Sequence, residues 1–478
     1  MSDRERLEQI ISEMTETLSE SPDEVEPLVR RASAWCQLGS YENAIADCDL
    51  ALRAEPGDAK AHYVRGVALG ETKAHEDAIL DFDEAVAYGL EGEGLDHCLY
   101  RRGRCHSALG DYEKAIADFN QAIKGGQCRA AIHLARGLAF ARNEDPLNAI
   151  ADLSDAILLG LDEQNLQICY FSRGRCYYET RAYDEAIDDF DQVLNRDGKD
   201  ADAYYMRGLA LAQSGEHRDA IEDFAAAIAY GIKEEFLVGC YYNRSKSYHS
   251  ERDFSKAIDD LNEVMRLDTT HLHAPMRRGL AKAELGQYQQ AIADYDLAIL
   301  RKPDSADAFH NRGNEWIQLG KFRKAIADLT TAIRIDPESA VSFNSRGIAW
   351  NRKGCYWKAL ADYERALELD PDSTLRRSVL ASFLVNCPSR RYRDGKRALQ
   401  LITEVCELKG YGDAAIVNCL AAAHAETGDF ASAITFQERA ISLSEDEEEI
   451  EDMQFSLQGY QAGVVYVSPS PPWRQRFA

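Results

Sequence analysis

The chain has 478 residues, with 81 acidic against 55 basic side chains and a net charge of −26. That surplus disfavours general binding to nucleic acid or to an anionic membrane, both of which need a cationic footprint. A content of 45% hydrophobic and 28% charged residues suits a folded, water-soluble body and excludes a disordered one. The charged start, Met1 to Met14, has no apolar core of a secretory signal. No run of about 18 apolar residues is present to span a bilayer. Arg4 to Leu18 predicts a lone helix, a cap over residues 1–24. The 12 cysteines form no CxxC pair, and Cys98/Cys105 and Cys169/Cys176 are seven apart. Two helical turns, roughly 10.5 Å, are too long for a disulfide, so the thiols are expected to be reduced and the chain cytoplasmic.

From Val25 to Ser373 two phrases recur. Arg-Gly stands at 65–66, 102–103, 136–137, 173–174, 207–208, 278–279, 312–313 and 346–347. Twelve residues after the Gly an Ala opens an Ala-Ile-x-Asp phrase or a close variant, at Ala44, Ala78, Ala115, Ala149, Ala186, Ala220, Ala257, Ala291, Ala325 and Ala359. Those alanines step by 34 or 37 residues. Each unit predicts two amphipathic helices. In Ala306 to Ser339, Phe309, Gly313 and Trp316 form one stripe, Gly320 sits in the turn, and Ala325, Leu329 and Ala332 form the second. Pro337 cannot continue that second helix.

With aromatic, Gly, aromatic, Ala, aromatic and Pro in that order, the unit resembles the tetratricopeptide repeat, a 34-residue helix–turn–helix. We number each unit so that the Gly of Arg-Gly is position 8. The resemblance implies an all-α fold, a right-handed superhelical solenoid of about twelve helix–turn–helix pairs with terminal capping helices. Ten units would fill 25–373, two degenerate pairs 374–443, an acidic capping helix 444–463, and a disordered Pro-rich tail 464–478. The first degenerate pair, Leu375 to Leu408, carries a basic insertion with Arg390, Arg391, Arg393, Lys396 and Arg397. The closing segments resemble those of bacterial repeat scaffolds.

Position 7 departs from the family's usual Leu. It is Arg in all ten units, and Asp follows 16 residues later at position 23. The pairs are Arg31/Asp47, Arg65/Asp81, Arg102/Asp118, Arg136/Asp152, Arg173/Asp189, Arg207/Asp223, Arg244/Asp260, Arg278/Asp294, Arg312/Asp328 and Arg346/Asp362. Both positions lie almost equally far from the hairpin turn, which predicts a structural ladder of partly buried ion pairs, within a unit or between neighbours. The alternative is two solvated faces that never meet. The 34 and 37 steps also alternate, so a 71-residue block is duplicated over about 59–271. Extra residues such as Leu90 to Gly94 are expected to lengthen one loop per block.

No nucleophile elbow, zinc-protease motif, phosphate loop or dinucleotide fingerprint is present. No cofactor and no metal is expected. His97-Cys98 with Cys105-His106 is too widely spaced for a zinc site. The family resemblance implies a non-enzymatic scaffold that holds an extended peptide or a partner helix against the first helices of its units. The candidate groove residues are Tyr63, Tyr100, Arg101, Arg104, Phe171, Arg175, Tyr205, Tyr242, Asn243, Lys246 and Asn311. Such a groove, from Ala59 to Thr270, would take an acidic or aromatic-bearing protein segment. The competing expectation is that the tyrosines pack between helices and the cations pair with nearby acids. The subgroup that clamps chaperone tails uses Lys at position 5, which no unit has; His310 with Asn314 is a poor substitute. The basic insertion invites RNA or phosphate, but such runs more often pair with acidic neighbours. PSPPWR, Pro469 to Arg474, fits an SH3-ligand pattern. The other function class is a regulatory subunit, or an enzyme whose site has no recognisable motif.

Overall fold

The computed structural model describes residues 3–126 and 130–465. The expected tail motif at 469–474 lies outside them. The described residues form 26 α-helices and no strand, in two compact units, 1–243 and 244–478.

In the first unit α1 (Asp3–Glu20) precedes the hairpins α2–α3 (Val25–Gln37, Tyr41–Ala54), α4–α5 (Ala59–Glu71, His75–Ala87), α6–α7 (Gly92–Leu109, Tyr112–Lys124), α8–α9 (Ala130–Arg142, Pro146–Leu159), α10–α11 (Glu163–Glu179, Tyr183–Leu194) and α12–α13 (Ala201–Ser214, His217–Ala229). The boundary falls within α14 (Glu234–Ser250). The second unit continues with α15 (Phe254–Leu267), α16–α17 (Ala274–Glu284, Tyr288–Arg301), α18–α19 (Ala306–Gln318, Phe322–Ile335), α20–α21 (Ala340–Arg352, Tyr356–Leu369), α22–α23 (Thr374–Asn386, Gly395–Lys409), α24–α25 (Ala414–Glu426, Phe430–Leu443) and α26 (Glu447–Gln461). Within each unit every hairpin packs on the next.

Local chemistry sets these boundaries. Asp58, Asp200 and Ser305 accept from the backbone N–H three residues on, capping α4, α12 and α18. The hairpin turn needs a left-handed residue at position 15. Gly110, Gly215 and Gly320 supply it at φ 86°, 97° and 67°, while Lys73, Glu144, Arg181 and Arg252 adopt φ 58–67° without being glycine. Close approach explains the Gly of Arg-Gly: a Cβ on Gly103 would lie 2.7 Å from the Phe119 ring, and one on Gly279 2.6 Å from Tyr295. The position-20 alanines, from Ala44 to Ala359, are fully buried against the partner helix.

The extra residues of the 37-residue units do not make a longer loop. They extend the first helix: α6 starts at Gly92 and runs 18 residues, where α4 has 13. A helical turn satisfies backbone groups that a loop would leave to solvent. At the carboxyl end α26 lies on α25, burying Met453 and Tyr460 and taking a hydrogen bond from Gln437 Nε2 on the Met453 carbonyl at 3.2 Å. At the amino end the Thr15 hydroxyl of α1 accepts from Arg31 at 3.1 Å.

Candidate functional site

The position-7 arginines project from the first helix of each hairpin onto the second. Arg65 places Nε and Nη2 on the two oxygens of Asp81 at 2.8 and 2.7 Å. Arg102 does the same to Asp118 at 2.9 and 2.6 Å, and Arg207 to Asp223 at 2.7 and 2.7 Å. Arg31, Arg136, Arg173, Arg244, Arg278, Arg312 and Arg346 hold Asp47, Asp152, Asp189, Asp260, Asp294, Asp328 and Asp362 in the same way. The carboxylates are nearly inaccessible, Asp223 keeping 5% exposure. Burial pushes the Asp189, Asp223 and Asp260 carboxyls up, and the guanidiniums draw them back. Arg31, Arg65, Arg102, Arg173, Arg207 and Arg312 are driven further toward their charged form, Arg207 chiefly by its hydrogen bonds to Asp223. Two short, parallel N–H···O bonds fit an ion pair better than a neutral acid, so we read the rungs as ionised.

A third link was not visible in the sequence reading. Eight of the guanidiniums, Arg312 on Asp296 among them, also turn Nη1 toward position 25 of the preceding hairpin, whereas Arg31 turns it to Thr15 of α1. Arg65 reaches Asp49 at 2.7 Å, Arg102 Asp83 at 2.6 Å, Arg136 Asn120 at 2.5 Å, Arg173 Ser154 at 2.9 Å, Arg278 Asn262 at 2.7 Å and Arg346 Thr330 at 3.2 Å. Arg207 reaches Asp191 likewise. The only available signal was that position 25 is polar in nearly every unit, which surface residues commonly are.

The candidate groove residues fall into two groups. Tyr63, Tyr100, Phe171 and Tyr205 are half-buried and pack on the position-24 rings: Tyr63 on Phe82 at 6.3 Å between centroids, Tyr100 on Phe119 at 6.1 Å, Phe171 on Phe190 at 5.8 Å and Tyr205 on Phe224 at 6.1 Å. Tyr242 is half-buried, and the Asn243 side chain donates to the Gly239 carbonyl at 2.9 Å. Arg101 and Arg104 come together instead, at a cleft between α4, α5 and α6 whose walls include Gly70, Glu71, His75, Phe82 and Cys105. Arg101 donates to Glu71 at 2.5 Å. Arg104 is exposed, lies 5.9 Å over the Tyr100 ring, and has no carboxylate partner among the described residues. The buried Nδ1 of His75 has no hydrogen-bond partner. Arg175 is exposed, 3.8 Å from Glu179. Lys246 and Asn311 lie in the other unit. Burial and the neighbouring Arg277 hold the Lys246 ammonium down, and Asn311 points its amide at Met276 sulfur, 3.9 Å away.

Other sequence candidates are tied to structural partners. The Cys98 thiol donates to the Phe82 carbonyl at 3.7 Å and burial pushes its pKa to about 12, so it is a poor nucleophile or ligand. His133, Asp152 and Asp155 place one ligand atom each within 4.8 Å of one another, but Arg136 already occupies both Asp152 oxygens at 2.6 Å. In the basic insertion Arg393 meets Glu426 at 2.6 Å and Arg397 meets Glu364 at 2.5 Å. His310 accepts from Asn314 on Nε2 at 3.0 Å and faces the Ser342 hydroxyl with Nδ1 at 3.1 Å, which leaves neither ring nitrogen for a ligand.

Stacked helix hairpins of this kind, with first helices that present polar and aromatic side chains, define a class of repeat proteins that work by binding other proteins. Profiles described as tetratricopeptide repeat match residues 29–89, 98–124, 170–233, 238–271, 276–305, 306–339, 340–373 and 414–447. The chain belongs to the tetratricopeptide-repeat family. It is 23% identical over 299 residues to human DnaJ homolog subfamily C member 7, covering 56% of this chain and 58% of that protein. It is 23% identical over 267 residues to Hsp70-Hsp90 organizing protein 3 of Arabidopsis thaliana, covering 54% and 39%. It therefore spans little more than half the length of these relatives, or less. Among solved structures it is similar to yeast Tom70 (17% identity, 92% and 96% coverage, TM-score 0.42) and to YrrB, described as having an unusual peptide-binding site (21%, 41% and 97%, 0.37).

Proposed function

We propose that the chain is a non-enzymatic, cytoplasmic scaffold that binds an extended acidic or aromatic-bearing segment of a partner protein on the first-helix face of residues 59–243. The observation that carries this reading is Arg104: an exposed guanidinium with no carboxylate of its own among the described residues, beside Arg101 and over the Tyr100 ring, in a body of net charge −26. Keeping a cation unpaired among so many acids is what recognition of an anionic partner requires, and it orients and steers more than it adds affinity. Tyr100 and Tyr63 pack on the second helices and brace the cleft, so the direct contacts belong to Arg101 and Arg104. Arg175 offers a second exposed cation two hairpins along the face.

A pulldown from a native extract tests this with Arg104→Glu plus Arg175→Glu against wild type. Partners retained by wild type should fall at least tenfold on the double variant, with an unchanged melting temperature. An unchanged partner set rejects the reading.

A further inference from the structure

The hairpin turns of the second unit divide by charge. Three successive ones, in α18–α19, α20–α21 and α22–α23, are basic. Arg323 and Lys324 stand at the first, Lys353 and Lys358 at the second, and Arg390 and Arg391 at the third. None of these has a carboxylate partner among the described residues. The turns on either side differ: Leu285 to Gln290 is neutral, and Thr427 to Phe430 carries Asp429. Aromatic rings tie the three basic turns into one edge. The Lys324 ammonium lies 4.2 Å over the Trp316 ring, and Trp316 and Trp350 pack against the same core of Ala325, Leu329 and Ala349. Lys358 lies 4.3 Å over Trp350 and 5.1 Å over Trp357. Tyr356 meets Tyr392 of the next hairpin at 6.4 Å between centroids, and Arg391 lies 5.9 Å over that Tyr392 ring. Trp357, on the central hairpin of this edge, stays 61% exposed.

The complement stands in the same unit. Glu445 precedes α26, which opens with Glu447, Glu448 and Glu451; all four are exposed, and no cation pairs with them among the described residues. At roughly 100° per residue, Glu448, Glu451 and Phe455 share one face of α26. Met453 and Tyr460, on the opposite face, are buried against α25. Phe455 is 52% exposed. Among the described residues no ion pair joins these acids to the basic edge within one copy. An edge of unpaired cations around an exposed indole thus has its counterpart in a helix stripe of unpaired acids beside an exposed phenyl ring. From Glu448 to Phe455 the helix rises roughly 10.5 Å, comparable with the roughly 8–10 Å between packed helices. Laid across the edge, α26 therefore reaches from one turn to the next.

We propose that this basic edge is the docking surface for α26 of a second copy of the chain, the two copies pairing about a two-fold axis. Such an axis presents each edge to the other copy's helix, so the contact forms twice. Phe455 against Trp357 supplies the apolar centre. The glutamates face Lys353 and Arg390 and fix the register, because exposed ion pairs select a partner more than they add affinity. Each copy carries −26, but at about 0.15 M salt that body charge is screened beyond about 8 Å, so the charges in contact decide the sign. The pairing lies in the second unit and does not depend on the Arg104 cleft, so either can fail alone.

The test is sedimentation equilibrium of the full chain in about 0.15 M sodium chloride. Wild type should reach twice the monomer mass by about 50 µM. Lys353→Glu plus Arg390→Glu should raise the dimer Kd at least tenfold, and Glu448→Lys plus Glu451→Lys should do the same, each with unchanged helical circular dichroism. An equal mixture of the two charge-swapped chains should restore the dimer, since both contacts then join opposite charges again. Trp357→Ser should raise Kd at least tenfold with every charge in place. A wild type still monomeric at about 50 µM, charge swaps that leave Kd unchanged, or a mixture that does not recover would overturn the pairing. So would a monomeric wild type that binds labelled polyuridylate or polyglutamate through Lys353 and Arg390, which assigns the edge to a foreign anion.

Discussion

A guanidinium that grips one carboxylate with two N–H groups and a neighbouring hairpin with a third is worth little as a sum of charges, because desolvation offsets most of the attraction. Its value is geometric. Removing one partner leaves the other charge stranded, so Asp223→Ala should cost on the order of 3 kcal/mol. Glu216→Ala, an exposed control in the same hairpin, should stay within about 0.5 kcal/mol. Denaturant melts of both variants decide it: equal small losses would mean that the rungs carry nothing. Glu315, buried in α18 with 7% exposure, makes the opposite prediction. Its carboxyl is raised from 4.5 to about 7 in the folded chain, so the folded state holds a proton that the unfolded state has already lost. Stability therefore falls as pH rises through that window, by at most about 3 kcal/mol. Asp189, Asp223 and Asp260, also raised, tilt the curve the same way. The expected signature is the difference: Glu315→Ala should flatten the wild-type slope between pH 5 and 7.5, and parallel slopes would contradict the buried-acid description.

At the scale of the helix, the hairpin turn sets its own residue requirement. Lys73, Glu144, Arg181 and Arg252 hold left-handed backbone with a Cβ present, which costs roughly 1–2 kcal/mol each. Glycine removes that strain and gives part of it back as unfolded-chain entropy. Replacing all four by Gly should raise the melting temperature, by about 0.5 kcal/mol per site in free energy; a lower melting temperature would show that those side chains make compensating contacts. The helices themselves were legible from the sequence, since period-3.6 apolar stripes and a Gly-centred turn recur ten times in phase. The extra residues of the long units were not. Leu90 to Gly94 reads as a loop because glycine is a poor helix former, yet Gly92 and Gly94 sit in the first turn of α6. A first turn needs few internal hydrogen bonds and tolerates them.

Across the molecule, a charge of −26 on 478 residues makes long-range repulsion a standing cost that salt reduces. The ladder pairs are in direct contact and mostly buried, so salt weakens them less. Raising sodium chloride from 20 to 200 mM should therefore raise the melting temperature; a fall would mean that surface ion pairs outweigh the repulsion. Repeat register, the helix-hairpin fold, the family and the Arg–Asp spacing of 16 were all determined by the sequence itself, because each rests on a local period that the chain states ten times over. Tertiary structure alone decided what the polar side chains do. It turned the groove tyrosines inward onto Phe82, Phe119 and Phe224, left Arg104 without an acid among the described residues, and buried Glu315 where neighbouring units carry Ala281 and Ala349. Those outcomes depend on which residue of another helix, in the same or a neighbouring hairpin, stands opposite, and periodicity within one helix carries no information about that neighbour.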